Sequence, residues 1–294
     1  MVTLSTKAVF KRNDAKIQCE ADLSDPIDIS IPLHFNSPPG ACAFCLPAPK
    51  SSELAMGSFV LSVASGCPVN VNALEFNVHG SCTHTESIRH IKPHTSPVHT
   101  NDEFAPKSCW SGAALLSVAP QTLADCGECY LGSSEATDLV LSRANIQAAV
   151  NTIFVDVAVE DSHAFCRAVV LRTGMAAHGK DWSKTNPPYP TSDAIRWLLE
   201  RFPDLQHIIL DVPSLDREED GGTTPNHKIF FGATENDQES DQGFPLRFVT
   251  ELTRIPDEAE QGMYLLNLQV APFVGTDAVP ARPVLHRVTS FVCS

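Results

Sequence analysis

The sequence lacks both long apolar runs and clusters of basic residues. A membrane-spanning helix needs about 18 or more consecutive apolar residues, and the chain contains no such run. Lysine and arginine together number 21 against 35 aspartates and glutamates, which gives a net charge of −14. Without a basic patch the chain cannot neutralise the phosphates of a nucleic acid. We therefore expect neither a membrane nor a nucleic-acid partner.

A secretory signal is also missing from the N-terminal region. Residues 1–12 contain no continuous apolar core followed by a cleavage site of small residues. They do contain Lys7, Lys11 and Arg12, with no acid before Asp14, which leaves organelle targeting open as a minor alternative. A cytoplasmic location is the simpler expectation.

The ten cysteines are accordingly expected to be reduced thiols. Two C-x-x-C pairs, Cys42 with Cys45 and Cys126 with Cys129, could suggest a zinc ribbon. Paired knuckles usually lie about 15–20 residues apart, whereas more than 80 residues separate these two pairs. We interpret the cysteines as structural thiols.

Strand-like and helix-like segments alternate along the chain without a clear linker or an internal repeat. Apolar residues make up 43% of the 294 positions, enough for a large core. We predict a single α/β domain of residues 21–294, preceded by an N-terminal extension of residues 1–20. The main predicted strands are residues 21–33, 58–64, 71–78, 113–119, 164–172, 207–212 and 265–271, and the main helices are 142–150 and 192–201, the latter capped by Ser192.

The segment of residues 79–90 is the richest in chemistry. It places three imidazoles and one carboxylate within twelve residues, directly after an apolar run. His84 and Glu86 are two residues apart, so on an extended strand they project from the same face. Neutral imidazole and carboxylate are ligand types that divalent zinc, manganese, iron or nickel prefer. The segment therefore predicts half of a metal site.

Two downstream residues are candidates for the other half. His227 lies just before the apolar residues Ile229, Phe230 and Phe231, and Glu251 interrupts a strand-like run. An acid within such a run is expensive to bury alone, so it either faces solvent or meets a cation. Taken singly, neither residue points to a metal.

At these positions the chain resembles the metal-dependent cyclase-like hydrolases, a family that includes bacterial kynurenine formamidase and isatin hydrolase. The family's central motif reads H-x-G-T-H-x-D-x-P-x-H, and later motifs read D-x-P-S-x-D and E-N-L. The resemblance runs in the same order from about Asp22 to Leu285. The matching residues are Thr83, His84, Glu86 and His90, then Asp211 to Asp216, then Asn226 to Gly232, and finally Thr250 to Leu252.

The resemblance implies a role for each matching residue. His84 and Glu86 would be metal ligands, with Glu86 at the position of a bridging aspartate. His227 would hold a second metal, and Glu251 would share in binding both. His90 would act as general acid/base rather than as a ligand.

The resemblance also implies the fold and the cofactor. The family has a compact α/β domain built around a mixed β-sheet with flanking helices, of the swivelling β/α/β type. It is often a homodimer whose partner covers the active site. The expected cofactor is one or two divalent ions, zinc or manganese, and the expected partner is a small-molecule substrate.

Three departures from the motif concern the centre itself. The family's first histidine falls on Gly80, so His79 is one residue out of register; an odd separation from His84 places the two on opposite faces of a regular strand. A β-bulge at Gly80 and Ser81 would restore His79 as a ligand. Glu86 replaces an aspartate, and Cys82 replaces a glycine, where it is either a soft ligand or a packed thiol.

Together these features predict a metal-dependent hydrolase of C–N bonds other than peptide bonds. The first hypothesis is an arylformamidase of tryptophan catabolism, which converts N-formylkynurenine to kynurenine and formate with a metal-activated water as nucleophile. The second is hydrolysis of another cyclic amide or lactone at the same site. The third is a catalytically silent metal-binding relative. The loops of residues 36–56 and 93–110, which would line the pocket, do not identify the substrate.

Overall fold

The computed structural model describes residues 4–12, 15–36, 40–92, 109–176, 179–233 and 244–293. Most of the predicted loop 93–110 and the acidic segment around residues 235–243 lie outside these ranges. The strands are β1 Ser5–Arg12, β2 Ala15–Asp22, β3 Ile27–Asp28, β4 Lys50–Glu53, β5 Ala55–Met56, β6 Phe59–Val60, β7 Asn72–Glu75, β8 His84–Glu86, β9 Trp110–Ser117, β10 Gln121–Thr122, β11 Leu139–Leu141, β12 Cys166–Arg172, β13 Tyr189–Pro190, β14 His207–Leu210, β15 Phe248–Glu251, β16 Gly262–Val270 and β17 Ala278–Cys293. The α-helices are α1 Val78–Ser81, α2 Leu123–Cys126, α3 Arg143–Ile153, α4 Val159–Phe165, α5 Ser192–Arg201 and α6 Pro225–Phe231, and two 3-10 turns are Val63–Ser65 and Ile88–His90.

Seven strands of the main sheet close into a barrel in the order β17, β16, β9, β12, β14, β15, β8 and back to β17. The pairs β9–β12, β12–β14 and β14–β15 are parallel. The other four pairs around the barrel are antiparallel. The single α/β domain with a mixed sheet is thus confirmed, while the sequence did not predict its closure.

Alternate residues of the barrel strands form two separate apolar layers. Leu115 and Val170 pack inside the barrel with residues of β14, β16 and β17. Their neighbours Leu116 and Leu171 face outwards and pack against the helices. Strands buried on both faces produce the continuous apolar runs seen in the sequence.

Helices α3 and α5 cover the outer face of the barrel. The Ser142 hydroxyl accepts a hydrogen bond from the backbone N–H of Asn145, so the predicted cap of α3 is present. For α5 the predicted cap is wrong by one residue, because the Thr191 hydroxyl accepts the bond from Ala194 N. Ile195 and Leu198 of α5 are fully buried in the outer layer.

The N-terminal segment forms a hairpin of β1 and β2, and β2 pairs with the C-terminal end of β17. The predicted strand at residues 21–33 is largely wrong. The Asp22 carboxylate accepts hydrogen bonds from the backbone N–H and the hydroxyl of Ser24, a local turn that ends β2. The division into residues 1–20 and 21–294 stays a prediction.

No helix within the described ranges is both long and apolar enough to cross a membrane.

Candidate metal centre

Strand β8 places His84 and Glu86 on one face, as their spacing predicts. Both residues are fully buried. Across the antiparallel pair β8–β15, His84 lies opposite Glu251, and its Nε2 atom is 3.4 Å from Oε2 of Glu251. The predicted ligands of the two strands therefore meet at the end of β15, where parallel barrel strands finish.

Helix α6 brings His227 to the same point. Its Nε2 atom lies 2.7 Å from Oε1 of Glu86 and 3.6 Å from Oε1 of Glu251. On the other side of the ring, Nδ1 donates to Oδ2 of Asp216 over 2.6 Å. Asp216 also accepts bonds from the backbone N–H groups of Asn226 and His227, so it fixes both the first turn of α6 and the imidazole.

His79 reaches the centre through a one-turn helix, α1, and not through the predicted β-bulge. The Asn77 side chain caps this helix by accepting from the backbone N–H of His79. A Cβ atom at Gly80 would lie 2.8 Å from Cβ of Leu46, so the close packing there requires glycine. The Nδ1 atom of His79 is 3.6 Å from Oε2 of Glu86.

His90 lies in the 3-10 turn that follows β8. The Ser87 hydroxyl caps this turn by accepting a hydrogen bond from the backbone N–H of Arg89. The Nδ1 atom of His90 is 3.6 Å from Oε2 of Glu86. With 30% of its side chain exposed, His90 is the most accessible of the four imidazoles and the one that a substrate could reach.

The buried atoms of the centre suit a cation. His84 Nε2, His227 Nε2 and both carboxylate oxygens of Glu86 have no hydrogen-bond partner within the described residues. His227 Nε2 and Glu86 Oε1 are close, but they are not aligned as a hydrogen bond. Buried polar atoms without partners are costly, and here they converge on one another.

The spacing of the donor atoms fits the same interpretation. Two donors that share a tetrahedral ion at about 2.0–2.2 Å lie roughly 3.3–3.6 Å apart, which matches three pairs of predicted ligand atoms separated by 3.4 or 3.6 Å. Two groups could hold an ion among the described residues: His84, Glu86 and Glu251, and His79, Glu86 and His90. Glu86 belongs to both groups, which suits the bridging role implied by the motif.

The electrostatics of the metal-free centre favour protonated histidines. Burial lowers the pKa of His227, but the charge of Glu86 and the hydrogen bond to Asp216 outweigh it and raise the pKa well above its usual value. The pKa of His84 is also raised, because Glu251 and Glu86 outweigh its burial. Burial raises the pKa of Glu251, yet its contacts with His227 and His84 hold it well below the usual value. The carboxylate charges that raise the pKa values of these two rings would also favour a divalent ion at the same place.

Cys82 is not placed as a ligand. Its Sγ atom lies 3.8 Å from the carbonyl oxygen of Val78, and burial raises the pKa of the thiol to about 12. All ten cysteines are free, and neither C-x-x-C pair belongs to a potential metal-binding group in the described part of the chain. The interpretation of Cys82 as a packed thiol fits this environment.

The structure brings all six predicted site residues together, and it adds two that the sequence did not single out as site residues. Asp216 ends the match to the D-x-P-S-x-D motif and follows a strand end, where sites gather, but the resemblance implies no role for it. Asp277 had no signal at all: it lies in a turn before β17, and its Oδ2 atom is 2.9 Å from Nε2 of His79. The assignment of ligand and acid/base roles stays a prediction.

A cavity of about 720 Å³ lies on the opposite face of β8. It is lined by Thr85, which points away from His84 and Glu86, and by residues at the N-terminal ends of the parallel strands, including His207 and Phe248. The cavity is therefore separate from the histidine–carboxylate centre.

The fold and the centre define a class: an α/β domain with a closed mixed barrel and a histidine–carboxylate group suited to divalent metal. The family model described as Putative cyclase matches residues 21–217. The chain belongs to this cyclase family, as its motifs indicate. No curated protein matches the chain by sequence.

Solved structures share the fold. A predicted metal-dependent hydrolase from Bacillus stearothermophilus superposes with a TM-score of 0.52 at 17% identity, over 89% of this chain and 98% of that one. Isatin hydrolase A from Labrenzia aggregata, bound to benzyl benzoate, gives a TM-score of 0.55 at 14% identity, over 89% and 93%. Isatin hydrolase A from Ralstonia solanacearum gives 0.53 at 16% identity, over 89% and 91%. At these identities the likeness establishes the fold alone.

Proposed function

We propose that this protein is a metal-dependent hydrolase of an amide or formamide bond. The observation that carries the proposal is the convergence of His84, Glu86 and His227, whose inward atoms have no hydrogen-bond partner within the described residues. Glu251 and His79 lie beside them. Membership of a family whose solved relatives include a predicted metal-dependent hydrolase and isatin hydrolases agrees with the proposal. Zinc or manganese, as one or two ions, suits this mixture of nitrogen and oxygen ligands.

The proposed ligands are His79, His84, Glu86, His227 and Glu251. A divalent ion held there would supply Lewis acidity, polarising a carbonyl and lowering the pKa of water. The chain's own contribution is to hold the ligands in fixed orientations. Glu86 and Glu251 are buried beside the histidines, so their charges favour a cation and are weakly screened by solvent.

His90 is the proposed general acid/base. Burial lowers the pKa of His90, and the charge of Glu86 and the hydrogen bond to Asp277 outweigh it and raise the pKa. An imidazole with a raised pKa is suited to donating a proton to the departing nitrogen. In the proposed reaction a water oxygen bonds to the formyl carbon, and the water releases a proton to solvent. The C–N bond breaks with its electron pair on nitrogen, His90 delivers a proton to that nitrogen, and a proton from solvent restores His90.

The first candidate substrate is N-formylkynurenine, which would yield kynurenine and formate. A cyclic amide or lactone is the second candidate, favoured by the similarity to isatin hydrolases. Two departures favour the third candidate, a silent metal-binding relative: the shifted position of His79 and glutamate at residue 86. A cytoplasmic homodimer remains our expectation for the working form.

Elemental analysis and a substrate panel test the proposal. The purified full chain should contain at least one equivalent of zinc or manganese, and His84→Ala should lose it, whereas His163→Ala, a substitution on the remote helix α4, should keep it. A panel of formamides, cyclic imides and lactones then separates the first two candidates. A metal-loaded protein that turns over none of them would establish the silent relative. The mechanism would be refuted if the purified wild-type protein contained no metal and the His90→Ala variant were as active as wild type.

A further inference from the structure

Asp277 lies between two imidazoles of the centre. Its Oδ2 atom is 2.9 Å from Nε2 of His79 and 3.2 Å from Nδ1 of His90. The two rings are themselves 4.6 Å apart between centroids. The carbonyl oxygen of Asp277 accepts a hydrogen bond from the backbone N–H of Ser87, which fixes the residue beside the turn that carries His90.

An ionised carboxylate can only accept hydrogen bonds. An aspartate carboxyl group is ordinarily ionised at neutral pH, and Oδ2 of Asp277 lies within hydrogen-bond distance of one nitrogen atom of each ring. Both ring nitrogens that face it must therefore carry hydrogen. When each ring is neutral, the lone pair lies on Nδ1 of His79 and on Nε2 of His90.

This arrangement explains how His79 can serve the centre from a shifted position. His84 and His227 each bind an outer acceptor through Nδ1, the carbonyl oxygen of Cys82 and the carboxylate of Asp216 respectively, and present Nε2 inwards. His79 is reversed, since it binds its outer acceptor through Nε2 and presents Nδ1 towards Glu86. The reversed ring offsets the displacement of one residue along the chain.

We propose that Asp277 is a positioning residue that fixes the tautomer and orientation of both His79 and His90. One carboxylate then orders a metal-facing imidazole and the imidazole that exchanges protons with the substrate. Outer carboxylates of this kind orient metal-binding histidines in many proteins. The effect on turnover rests on the proposed function, whereas the effects on the two rings and on metal affinity do not.

The test uses the full chain and zinc alone. Zinc affinity of the metal-free protein is measured by chelator competition, and the tautomers are read from ¹⁵N–¹H imidazole spectra of the zinc-loaded protein. Asp277→Ala should bind zinc about 10–100-fold more weakly and lose the Nε2–H signal of His79 and the Nδ1–H signal of His90. Asp277→Asn keeps an acceptor oxygen of the same shape, so it should retain both signals and lose less affinity.

Asp204→Asn is the matched control. Asp204 has a similar exposure, pairs with Arg12 and lies far from the centre, so its variant should behave as wild type. If Asp277→Ala does not fold, Asp277→Asn still decides, because the loss of charge alone should weaken zinc binding. Wild-type zinc affinity and unchanged ring signals in every folded Asp277 variant would overturn the proposal. A protein that binds zinc as described but hydrolyses nothing on the panel would refute the proposed function and leave the role of Asp277 standing.

Discussion

The Nε2 atom of His227 lies 2.7 Å from Oε1 of Glu86, although one residue is on helix α6 and the other on strand β8. Neither atom has an aligned hydrogen-bond partner within the described residues. A ring nitrogen and a carboxylate oxygen held this close require either a proton or a metal ion between or beside them. The predictions on the centre follow from that requirement.

Removing the charge of Glu86 should abolish metal uptake. Glu86→Gln keeps the size of the side chain but replaces one acceptor oxygen by an amide group, which cannot bridge two groups of imidazoles. Zinc content by elemental analysis should fall from at least one equivalent to less than about a tenth, as expected when a ligand is lost. The control Glu260→Gln, which alters an exposed residue paired with Arg287, should keep its zinc. Equal zinc in both variants would exclude Glu86 as a ligand.

Zinc affinity should rise with pH. The pKa values of His84 and His227 are raised in the metal-free protein, so protons compete with zinc for both rings more strongly than they do at an exposed histidine. Below those pKa values each displaced proton contributes up to about a tenfold change in affinity per pH unit. Chelator competition between about pH 6 and about pH 8 measures the slope, and calorimetry in two buffers counts the protons. A flat profile would show that the rings bind zinc without losing protons.

The local period of the chain predicts one part of the centre. His84 and Glu86 share a face because the side chains of a strand alternate, and that holds wherever β8 lies in the fold. The proximity of His84 and Glu86 to Glu251 depends on the pairing of β8 with β15, two strands far apart in sequence. In the sequence, only the resemblance to the family motifs indicates this proximity.

Other parts depend on tertiary packing that the sequence does not encode locally. The turn that presents His79 depends on the Asn77 cap and on Gly80 packing beneath Leu46. Asp277 reaches the centre because β17 pairs with β8 and closes the barrel. Neither contact has a signature within a few residues. The sequence therefore offers a bulge as the way to bring His79 to the centre, where the structure has a helical turn, and it gives no sign of Asp277.

Replacing His90 should reduce turnover without reducing metal binding. His90→Gln removes the proton-transfer group, so kcat should fall about 10²–10⁴-fold while zinc content stays at the wild-type level. The ligand variant His84→Ala should instead lose both metal and turnover. The measurements are kcat on the best substrate of the panel and zinc by elemental analysis. Loss of zinc in His90→Gln would reassign His90 to the ligands and would contradict its role as general acid/base.

Acid should weaken the fold through His207. Burial lowers the pKa of His207 to about 3, where its Nε2 atom contacts the hydroxyl of Thr250. An exposed histidine has a pKa of about 6.5. Between about pH 6.5 and about pH 3, His207 is therefore protonated in the unfolded chain and unprotonated in the folded chain. The free energy of unfolding therefore falls with decreasing pH, by up to about 1.4 kcal/mol per pH unit from this residue. Urea unfolding from about pH 7 to about pH 5 should show a smaller slope for His207→Gln than for wild type, and identical slopes would contradict the assignment.

The substitution Gly112→Ala, which adds a single methyl group, should destabilise the barrel. Gly112 lies on β9 opposite Cys166 of β12, and a Cβ atom there would be 2.3 Å from the carbonyl oxygen of Phe165. Because that oxygen belongs to the backbone, the two strands must separate, and overpacking of this kind costs about 1–3 kcal/mol. Gly262→Ala is the matched control, since the carbonyl oxygen of Glu260 would be 4.0 Å from the new Cβ atom and the stability should change by less than about 1 kcal/mol. Urea unfolding of both variants measures the difference, and equal midpoints would mean that β9 and β12 separate at that point without cost.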